Sequence, residues 1–448
     1  MTRFLATDDL VSWGRVLRAR HAVARPHWRD ELPGLIREGT EAGRKLLTVG
    51  LGRSYGDSGL NPDGAVIDMR GLDRAIAFDP ETRVLRAEAG ISLDALLGIL
   101  VPRGFFLPVT PGTRFVTLGG AVANDVHGKN HHRAGTIGRW VRRLGLMRSD
   151  GGTLELGSDD NAGLFAATIG GLGLTGLIAW VEIEVIPIAS AMMEVETIPF
   201  AGLDDFFPIA DVSDGAFDYT VAWIDCLAKG DALGRGIFSR ARHATSGPLA
   251  AKKQRAGPSL PLDLPAFALN GLTVRAFNAV YYRNGRRQAG RTPQPYEPFF
   301  YPLDRIGGWN RMYGKRGLYQ YQSVVPPAVA RDATKAMLEA ISASGEGSFL
   351  AVLKTFGDAP SPGLLSFPRA GTTLALDFAN RGASTLALMA RLDAIVREAG
   401  GRLYPAKDGR IPAAMFRAGY PNWEDFARHV DPGFSSSFWR RVSEGEPG

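Results

Sequence analysis

Two glycine-rich segments in the first half of the chain restrict the folds that it can adopt. The segment GLGRSYGD places Gly50, Gly52 and Gly56 after the apolar run KLLTV, which predicts a strand that ends in a turn. Its spacing is one residue too long for G-x-G-x-x-G, and no Gly-Lys-Ser/Thr follows, so neither a Rossmann fingerprint nor a P-loop is present. Such glycines let backbone N–H groups approach a phosphate, but they also suit a tight turn between strands.

The second segment, IGGLGLTG, contains a literal G-x-G-x-x-G at Gly171, Gly173 and Gly176. A helix is predicted before it and a strand after it. A Rossmann fingerprint requires the opposite order, strand, turn and helix. We therefore do not expect a nicotinamide-binding Rossmann domain.

Short predicted strands and helices alternate up to about residue 190. Ser92 and Thr117 are predicted N-caps of helices in LDALLGIL and LGGAVANDV, and Asp159 or Asp160 of a helix in AGLFAAT. The run VRRLGLMRSDGGTLELG predicts a hairpin with DGG at its turn.

The pattern then changes to longer strands and helices. DYTVAWIDCLA, YQYQSVVP, SFLAVLKTFG and TTLALDFA predict strands, and two runs, PAVARDATKAMLEAISASG and TLALMARLDAIVREAGG, predict helices. The stretch SLPLDLPAF…RTPQPYEPFFYPLD, rich in proline, arginine and aromatic residues, is predicted to be irregular and partly mobile. This half of the chain is expected to form an antiparallel sheet covered by helices.

Composition excludes several classes of protein. The net charge of +6 is too small for 448 residues to indicate nucleic acid by itself, and it suits an anionic substrate or an acidic membrane surface equally well. The single cysteine, Cys226, excludes an intrachain disulfide and a cysteine-rich metal site. No run approaches the ~20 apolar residues of a membrane span, and acids occupy the place of a signal peptide's apolar stretch. We expect a cytoplasmic protein, either free or in peripheral contact with a membrane.

Three of the seven histidines lie in HGKNHH, residues 127–132. His127 and His131 are four residues apart and would share one face of a helix. A zincin needs Glu where Gly128 stands, and no third ligand is evident nearby. No metal is therefore predicted, and the histidines are expected to be polar groups in a wall.

Four loops resemble, in order and spacing, the FAD-binding oxidoreductases of the p-cresol methylhydroxylase/vanillyl-alcohol oxidase superfamily. They are GLGRSYGD, PGTRFVTLGGAVANDVHGKNHH, GGLGLTGLI and RLYPAKDGR. More specifically, DVHGKNHH, WNR…YG…YQYQ and YPAKD resemble the family of decaprenylphosphoryl-β-D-ribose 2′-oxidases. The resemblance implies an α+β fold: a two-subdomain FAD-binding domain (1–190), an antiparallel-sheet substrate domain covered by helices (191–400) and a C-terminal segment (401–448) that returns to the FAD domain.

The resemblance also implies FAD as the cofactor. Many members of the superfamily tether the flavin through a histidine of the first loop, but Tyr55 stands at that place, so the FAD is expected to be non-covalent. The expected cofactor contacts are Gly50, Leu51, Gly52, Arg53, Ser54, Tyr55, Gly56, Pro111, Gly112, Thr113, Gly119, Gly120, Ala123, Asn124, His127, Gly128, Gly173, Gly176, Ile178 and Lys407.

The implied reaction is oxidation of the 2′-hydroxyl of a polyprenylphosphoryl-β-D-ribose to the 2′-keto sugar, the first half of epimerisation to a cell-wall arabinose lipid. Such a reaction needs a proton acceptor. The candidates are His127, then Lys407, which has the alternatives of a fixed positive charge or an ion pair with Asp408 or Asp377, and then Tyr55. The expected substrate contacts are Lys129, Trp223, Gln320, Gln322, Lys354 and Thr373.

Departures from the family keep alternatives open. Thr373 and Ala375 stand where some relatives carry Asn and Cys, and most of 240–298 aligns poorly. An FAD-dependent oxidase of a free sugar, alditol or aldonolactone is one alternative, and a flavin-free binding subunit is another. The expected partners are a lipid-linked pentose phosphate and a separate short-chain keto-reductase, without nucleic acid. Basic residues in YYRNGRRQAGR suit phosphate, anionic lipid headgroups or a solvated loop.

Overall fold

The computed structural model describes residues 3–7, 10–62, 64–250, 259–265 and 268–443. The strands within these residues are β1 (Leu5–Thr7), β2 (His21–Ala24), β3 (Leu46–Val49), β4 (Ala65–Asp68), β5 (Ala75–Asp79), β6 (Val84–Glu88), β7 (Phe105–Phe106), β8 (Val141–Met147), β9 (Thr153–Gly157), β10 (Leu177–Glu184), β11 (Ile186–Pro187), β12 (Met192–Phe200), β13 (Tyr219–Ile224), β14 (Gly236–His243), β15 (Gly290–Pro295), β16 (Leu318–Val325), β17 (Ala351–Phe356), β18 (Gly371–Ala379) and β19 (Arg402–Leu403).

The α-helices within the same residues are α1 (Leu32–Glu41), α2 (Leu93–Leu100), α3 (Leu118–Ala123), α4 (His131–Ala134), α5 (Ala162–Thr168), α6 (Leu203–Ala216), α7 (Gly271–Arg287), α8 (Tyr296–Phe300), α9 (Ala330–Ser344), α10 (Ala383–Glu398), α11 (Ala413–Gly419), α12 (Trp423–His429) and α13 (Ser437–Ser443). In the part of the chain that the structure describes, none of them has the length and apolar character needed to cross a bilayer.

Two small sheets form the first part of the fold. In the four-stranded sheet the order is β1-β2-β4-β3, with β2 and β3 parallel to β4. The five-stranded sheet has the order β5-β6-β10-β8-β9 and is antiparallel throughout, and it contains the predicted hairpin as β8 and β9. Ser92 and Thr117 cap α2 and α3 as predicted. The prediction of an aspartate cap for α5 is wrong, because Asn161, in the left-handed conformation, precedes that helix.

The second part is one antiparallel sheet of eight strands, in the order β15-β12-β14-β13-β17-β18-β16-β19. Its residues alternate between two faces, as extended strands require. Tyr321 and Leu374 pack in the core beneath α9 and α10, whereas Gln320, Gln322 and Thr373 face a cavity. The α+β class predicted from the sequence is confirmed, and the sheet presents every second side chain to the cavity.

The stretch predicted to be irregular contains regular structure. It forms the 17-residue helix α7, the strand β15, which pairs with β12, and α8. Asn270 caps α7 by accepting the N–H groups of Leu272 and Thr273, and Val274 and Asn278 are buried beneath it. Only this narrow stripe of the helix is buried, so its sequence has little of the apolar periodicity that predicts a helix. Residues 251–258 and 266–267 of the poorly aligning region lie outside the described residues.

The chain after β19 packs against the first part of the fold. The N–H of Tyr55 donates to the carbonyl of Ala406 at 2.9 Å. Arg441 bridges the carboxylates of Asp57, at 2.8 Å, and Asp408, at 3.0 Å. These bonds hold the segment that follows β19 against the first glycine loop.

Candidate active site

A cavity of about 950 Å³ lies between the glycine loops and the open face of the eight-stranded sheet. The loops 48–60 and 110–129 and the segment 404–407 form one side, and β12 to β18 contribute the other. Every residue predicted for the site lines this cavity except Gly176. A Cβ at Gly176 would lie 2.6 Å from the carbonyl oxygen of Met147, so this glycine serves the packing of β10 on β8.

The first glycine loop is fixed at one end and leaves a run of backbone donors facing the cavity. Its Ser54 carbonyl accepts the N–H of Trp13 at 2.8 Å. A Cβ at Gly56 would lie 1.5 Å from the carbonyl oxygen of Asp408, so only glycine allows this approach. Among the described residues, none accepts a hydrogen bond from the N–H groups of 51–54. Successive free amides of this kind bind diphosphates.

The size and the polar lining of the cavity test whether a cofactor fits. Its volume of about 950 Å³ admits a ligand as large as FAD. The N–H groups of 51–54 suit a diphosphate, and the polar side chains of Gln320, Gln322 and Lys407 line the same cavity and suit polar rings. Ser58 Oγ, Asn124 Oδ1 and His127 Nδ1 also lack partners within the described residues, but they have almost no surface open to the cavity and do not contribute to this fit.

HGKNHH does not form the helix face that its spacing suggests. His127 lies in extended backbone that bridges to Thr136, and α4 begins only at His131. The His131 ring packs against Phe356, with the ring centres 4.4 Å apart. Within the described residues, no group of three His, Cys, Asp or Glu side chains could hold a metal ion.

His127 is a neutral side chain in an aromatic wall. Burial and the nearby Lys354 ammonium hold its pKa well below its usual value. The Gln322 side-chain nitrogen lies 3.1 Å from His127 Nε2. Because an amide nitrogen only donates, Nε2 accepts this bond, and the neutral ring carries its single proton on Nδ1. His127 thus lines the cavity with a neutral ring whose N–H has no partner within the described residues.

Lys407 is a cation with no anionic partner in contact. Its Nζ lies over the Tyr55 ring at 4.3 Å and makes no ion pair within the part of the chain that the structure describes. Asp408, one of the two carboxylates considered as alternative ion-pair partners of Lys407, pairs with Arg441 instead. Burial lowers the pKa of Lys407 to about 8, against the opposing pull of Asp377. Burial raises the pKa of Tyr55 well above its usual value, so this phenol stays protonated.

Two further lysines give the cavity an excess of positive charge. The Lys354 ammonium donates to the Gly128 carbonyl at 3.1 Å, and the Lys129 ammonium donates to the Phe299 carbonyl. Burial, with repulsion from a neighbouring lysine, lowers the pKa of each to about 7. An anion in contact with both would raise these pKa values again. This pair of lysines marks the part of the cavity suited to a phosphate.

Polar residues of β16 and β18 complete the floor. Gln320 donates to Asp377 at 2.6 Å, and burial raises the pKa of this carboxyl to about 7. Gln322 also donates to Thr373 Oγ1 at 3.3 Å. The two glutamines are thereby held in fixed orientations, as a site that reads sugar hydroxyls requires.

The sequence analysis missed several lining residues. Trp13 lies under the Arg53 guanidinium at 3.8 Å, and Tyr404 borders the His127 ring at 5.4 Å. The strand alternation of β12 and β14 was a usable signal for some of the others, but no sequence pattern pointed to the contributions of α7. The missed residues on these three elements are Val195, Thr197, Ile237, Ser239, Tyr281, Asn284 and Gly285, and Gln288 directly follows α7.

Known proteins match this chain in its glycine loops and beyond. The family described as FAD binding domain matches residues 21–157. Decaprenylphosphoryl-beta-D-ribose oxidase of Mycolicibacterium smegmatis is 38% identical over 455 residues, 97% of this chain and 97% of that protein. An uncharacterized protein in the mprA 5′ region of Streptomyces coelicolor is 33% identical over 79% of this chain and 100% of its own length. L-gulono-1,4-lactone dehydrogenase of Mycobacterium tuberculosis is 30% identical over 39% of this chain and 40% of its own length.

The fold, the cavity and these matches define a flavin-dependent oxidoreductase, and its cofactor is FAD. The chain belongs to the family of FAD-binding oxidoreductases that includes the decaprenylphosphoryl-β-D-ribose oxidase of Mycolicibacterium smegmatis. The predicted enzyme class and cofactor are confirmed, and the flavin-free binding subunit is excluded.

The flavin is expected to leave the protein on denaturation. The family resemblance implies that Tyr55 stands at the place of a flavin-tethering histidine, and burial keeps this phenol protonated at neutral pH. Acid precipitation of the yellow holoenzyme should leave all FAD absorbance in the supernatant. Flavin that remains with the washed pellet contradicts this prediction.

Proposed function

We propose that this enzyme oxidises the 2′-hydroxyl of a polyprenylphosphoryl-β-D-ribose to the 2′-keto sugar, as the first half of epimerisation to the arabinose lipid. The observation that carries the proposal is the pair of buried lysines, Lys129 and Lys354, in the cavity that the two fixed glutamines also line. A phosphate diester with a sugar attached matches that combination of charge and hydrogen bonds. Supporting it, a relative named as an oxidase of such a ribose is similar over 97% of the chain.

The lysines bind the phosphate and so fix the sugar. Their ammonium groups are held by the carbonyls of Gly128 and Phe299 rather than by carboxylates, so an anion does not have to displace an ion pair. Charge-assisted hydrogen bonds in a buried wall are shorter and stronger than neutral ones. The sugar attached to this phosphate then reaches Gln320 and Gln322.

Bound FAD supplies the hydride acceptor for alcohol oxidation. The protein must still remove the hydroxyl proton. Among the three candidates, Tyr55 keeps its proton, and the free nitrogen of His127 already carries one. Lys407, with a pKa of about 8 and no carboxylate in contact, is the group that can exist as a neutral amine near neutral pH. We therefore assign proton acceptance to Lys407 and donation of a hydrogen bond to His127, which reverses their order in the sequence analysis.

Substrate affinity is expected to weaken as pH rises through 7. Lys129 and Lys354 have pKa values of about 7, and the bound phosphate stabilises their charged forms. Above this pH a proton must be taken up for each lysine on binding, so affinity falls by up to about tenfold per pH unit for each. A phosphate diester does not titrate in this range. The dissociation constant, measured by flavin perturbation from pH 6 to 9, should rise in the parent, and more gently in Lys129→Met.

Exposed Lys335 on α9 provides the control for that measurement. Lys335→Met should reproduce the parent at every pH. A dissociation constant that is flat between pH 6 and 9 contradicts the assignment of the two buried lysines to the phosphate.

A substrate panel tests the proposed function itself. Anaerobic bleaching of the flavin is followed with polyprenylphosphoryl ribose, free alditols and an aldonolactone. Bleaching by the ribose lipid alone supports the proposal, and bleaching by a free sugar or lactone with no response to the lipid overturns it. A separate keto-reductase is part of the proposal. With NADH added, the purified chain should therefore form one keto sugar for each bound FAD and no arabinose lipid.

A further inference from the structure

The helix α7 forms one edge of the cavity, and among the described residues none covers its opposite side. It packs on β12 and β14, where a Cβ at Gly285 would lie 2.5 Å from the Ile237 side chain. Its Asn278 side chain donates to Asp225 at 2.9 Å, and the Tyr282 hydroxyl donates to the Phe200 carbonyl at 3.1 Å. These contacts hold the helix rigidly against the sheet.

One strip of α7 faces away from the protein. Leu272, Ala276, Val280, Arg283 and Arg287 are spaced by three or four residues and therefore lie on one side of the helix. All five are exposed, Leu272 to 76% and Val280 to 59%. We call these five residues the outer face of α7. It joins an apolar N-terminal half to a basic C-terminal half.

The charge of α7 is of one sign. The helix contains four arginines, Arg275, Arg283, Arg286 and Arg287, and no acidic residue. Within the described residues, none of the four forms an ion pair. Unpaired arginines beside exposed leucine and valine are the combination that binds anionic lipid surfaces.

The outer face is next to the mouth of the substrate cavity. Tyr281 and Asn284, on the adjoining side of α7, line the cavity. Phe277 lies between the two sides and is 45% exposed, with its ring stacked on that of Tyr281 at 5.9 Å. The apolar surface thus continues from the outer face to the rim of the cavity.

We propose that the outer face of α7 docks this enzyme on an anionic lipid bilayer, with the cavity mouth at the membrane surface. The purpose of this docking rests on the proposed function, because the polyprenyl chain of the substrate stays in the bilayer while its sugar must enter the cavity. Leucine and valine enter the headgroup region, and the arginines contact lipid phosphates. A neutral lipid surface would satisfy only the apolar half.

Vesicle binding by the holoenzyme without substrate tests the docking surface. The parent should sediment with vesicles of phosphatidylcholine and phosphatidylglycerol, and much less with phosphatidylcholine alone. The double variant Arg283→Gln/Arg287→Gln should lose about 30-fold in binding, from the usual contribution of an arginine near an anionic surface. Leu272→Gln/Val280→Gln should lose about tenfold. None of these four residues lines the cavity.

Matched surface substitutions control for general changes in charge and polarity. Val212→Gln, at a residue of α6 that is 68% exposed, and Arg391→Gln on α10 should bind vesicles like the parent. All variants should retain FAD and be reduced at the parental rate by a short-chain, water-soluble ribose phosphate diester.

Three outcomes overturn the docking proposal. They are absence of vesicle binding by the parent, equal binding to neutral and anionic vesicles, and full binding by both double variants. A change in the sedimenting mass of the free protein in these variants, without any vesicle binding, would assign the face to a second copy instead. If vesicle binding behaves as expected but the ribose lipid fails to bleach the flavin, the proposed function fails and the docking surface stands.

Discussion

Lys407→Met is expected to slow flavin reduction by the ribose lipid by about 10²–10⁴-fold, the usual contribution of a general base. The substitution keeps the length of the side chain and removes the amine that accepts the proton. Binding of the substrate should change much less, because the acceptor acts in the transition state. Anaerobic stopped-flow measurement at saturating substrate separates the two effects, with FAD content checked first.

The pH profile distinguishes a base from a fixed positive charge. If neutral Lys407 accepts the proton, the parental reduction rate rises about tenfold per pH unit and levels above about 8, where its pKa lies. A fixed charge requires the opposite, a rate that falls above that pH. The inflection should vanish in Lys407→Met and persist in His127→Gln, which keeps a hydrogen-bond donor in the wall. If His127→Gln loses more rate and the inflection, His127 is the base.

Lys354→Met should weaken binding of the ribose lipid by about 10–100-fold, because a hydrogen bond to a charged group contributes ~1.5–3 kcal/mol. The maximal rate of flavin reduction should change little, since the lysine contacts a phosphate that does not react. Removing this charge also removes a repulsion that lowers the pKa values of Lys129 and His127. The remaining pH dependence of binding should therefore move to higher pH than in the parent.

Lys335→Met provides the control for Lys354→Met as well, because it removes the same charge from an exposed position. A loss of maximal rate as large as the loss of affinity would contradict the assignment of Lys354 to the phosphate. It would place the ammonium at the reacting sugar instead.

The glycine loops and helix caps were readable from the sequence because local backbone chemistry determines them. Ser92 and Thr117 each accept an N–H three residues ahead, an interaction that needs no knowledge of the fold. The family resemblance then predicted lining residues on elements far apart in the chain, and all but Gly176 face the cavity. Gly176 is required by the close approach of the Met147 carbonyl oxygen. A motif match alone does not distinguish a glycine required by packing from one that contacts a ligand.

The electrostatics of the site could not be read from the sequence. The alternative of an ion pair between Lys407 and Asp408 is not realised, because Arg441 of α13 pairs with that carboxylate. The proton position on His127 follows from a bond to Gln322, 195 residues away. Helix α7 escaped prediction because its buried stripe is narrow and its outer face mixes apolar and basic residues. Each of these depends on tertiary neighbours rather than on local pattern.

The hydrogen bond from Tyr55 to Ala406, with the bridge from Arg441 to Asp57 and Asp408, also has a consequence for biosynthesis. The cavity lacks the wall formed by the segment 404–407 until the chain beyond β19 has left the ribosome. Domains generally fold from the N-terminus during synthesis. The glycine loops are therefore synthesised before the segment that packs against them, while the eight-stranded sheet is still forming. FAD binding should therefore be a late, post-translational step. Ribosome-bound chains that lack α13 should fail to retain FAD.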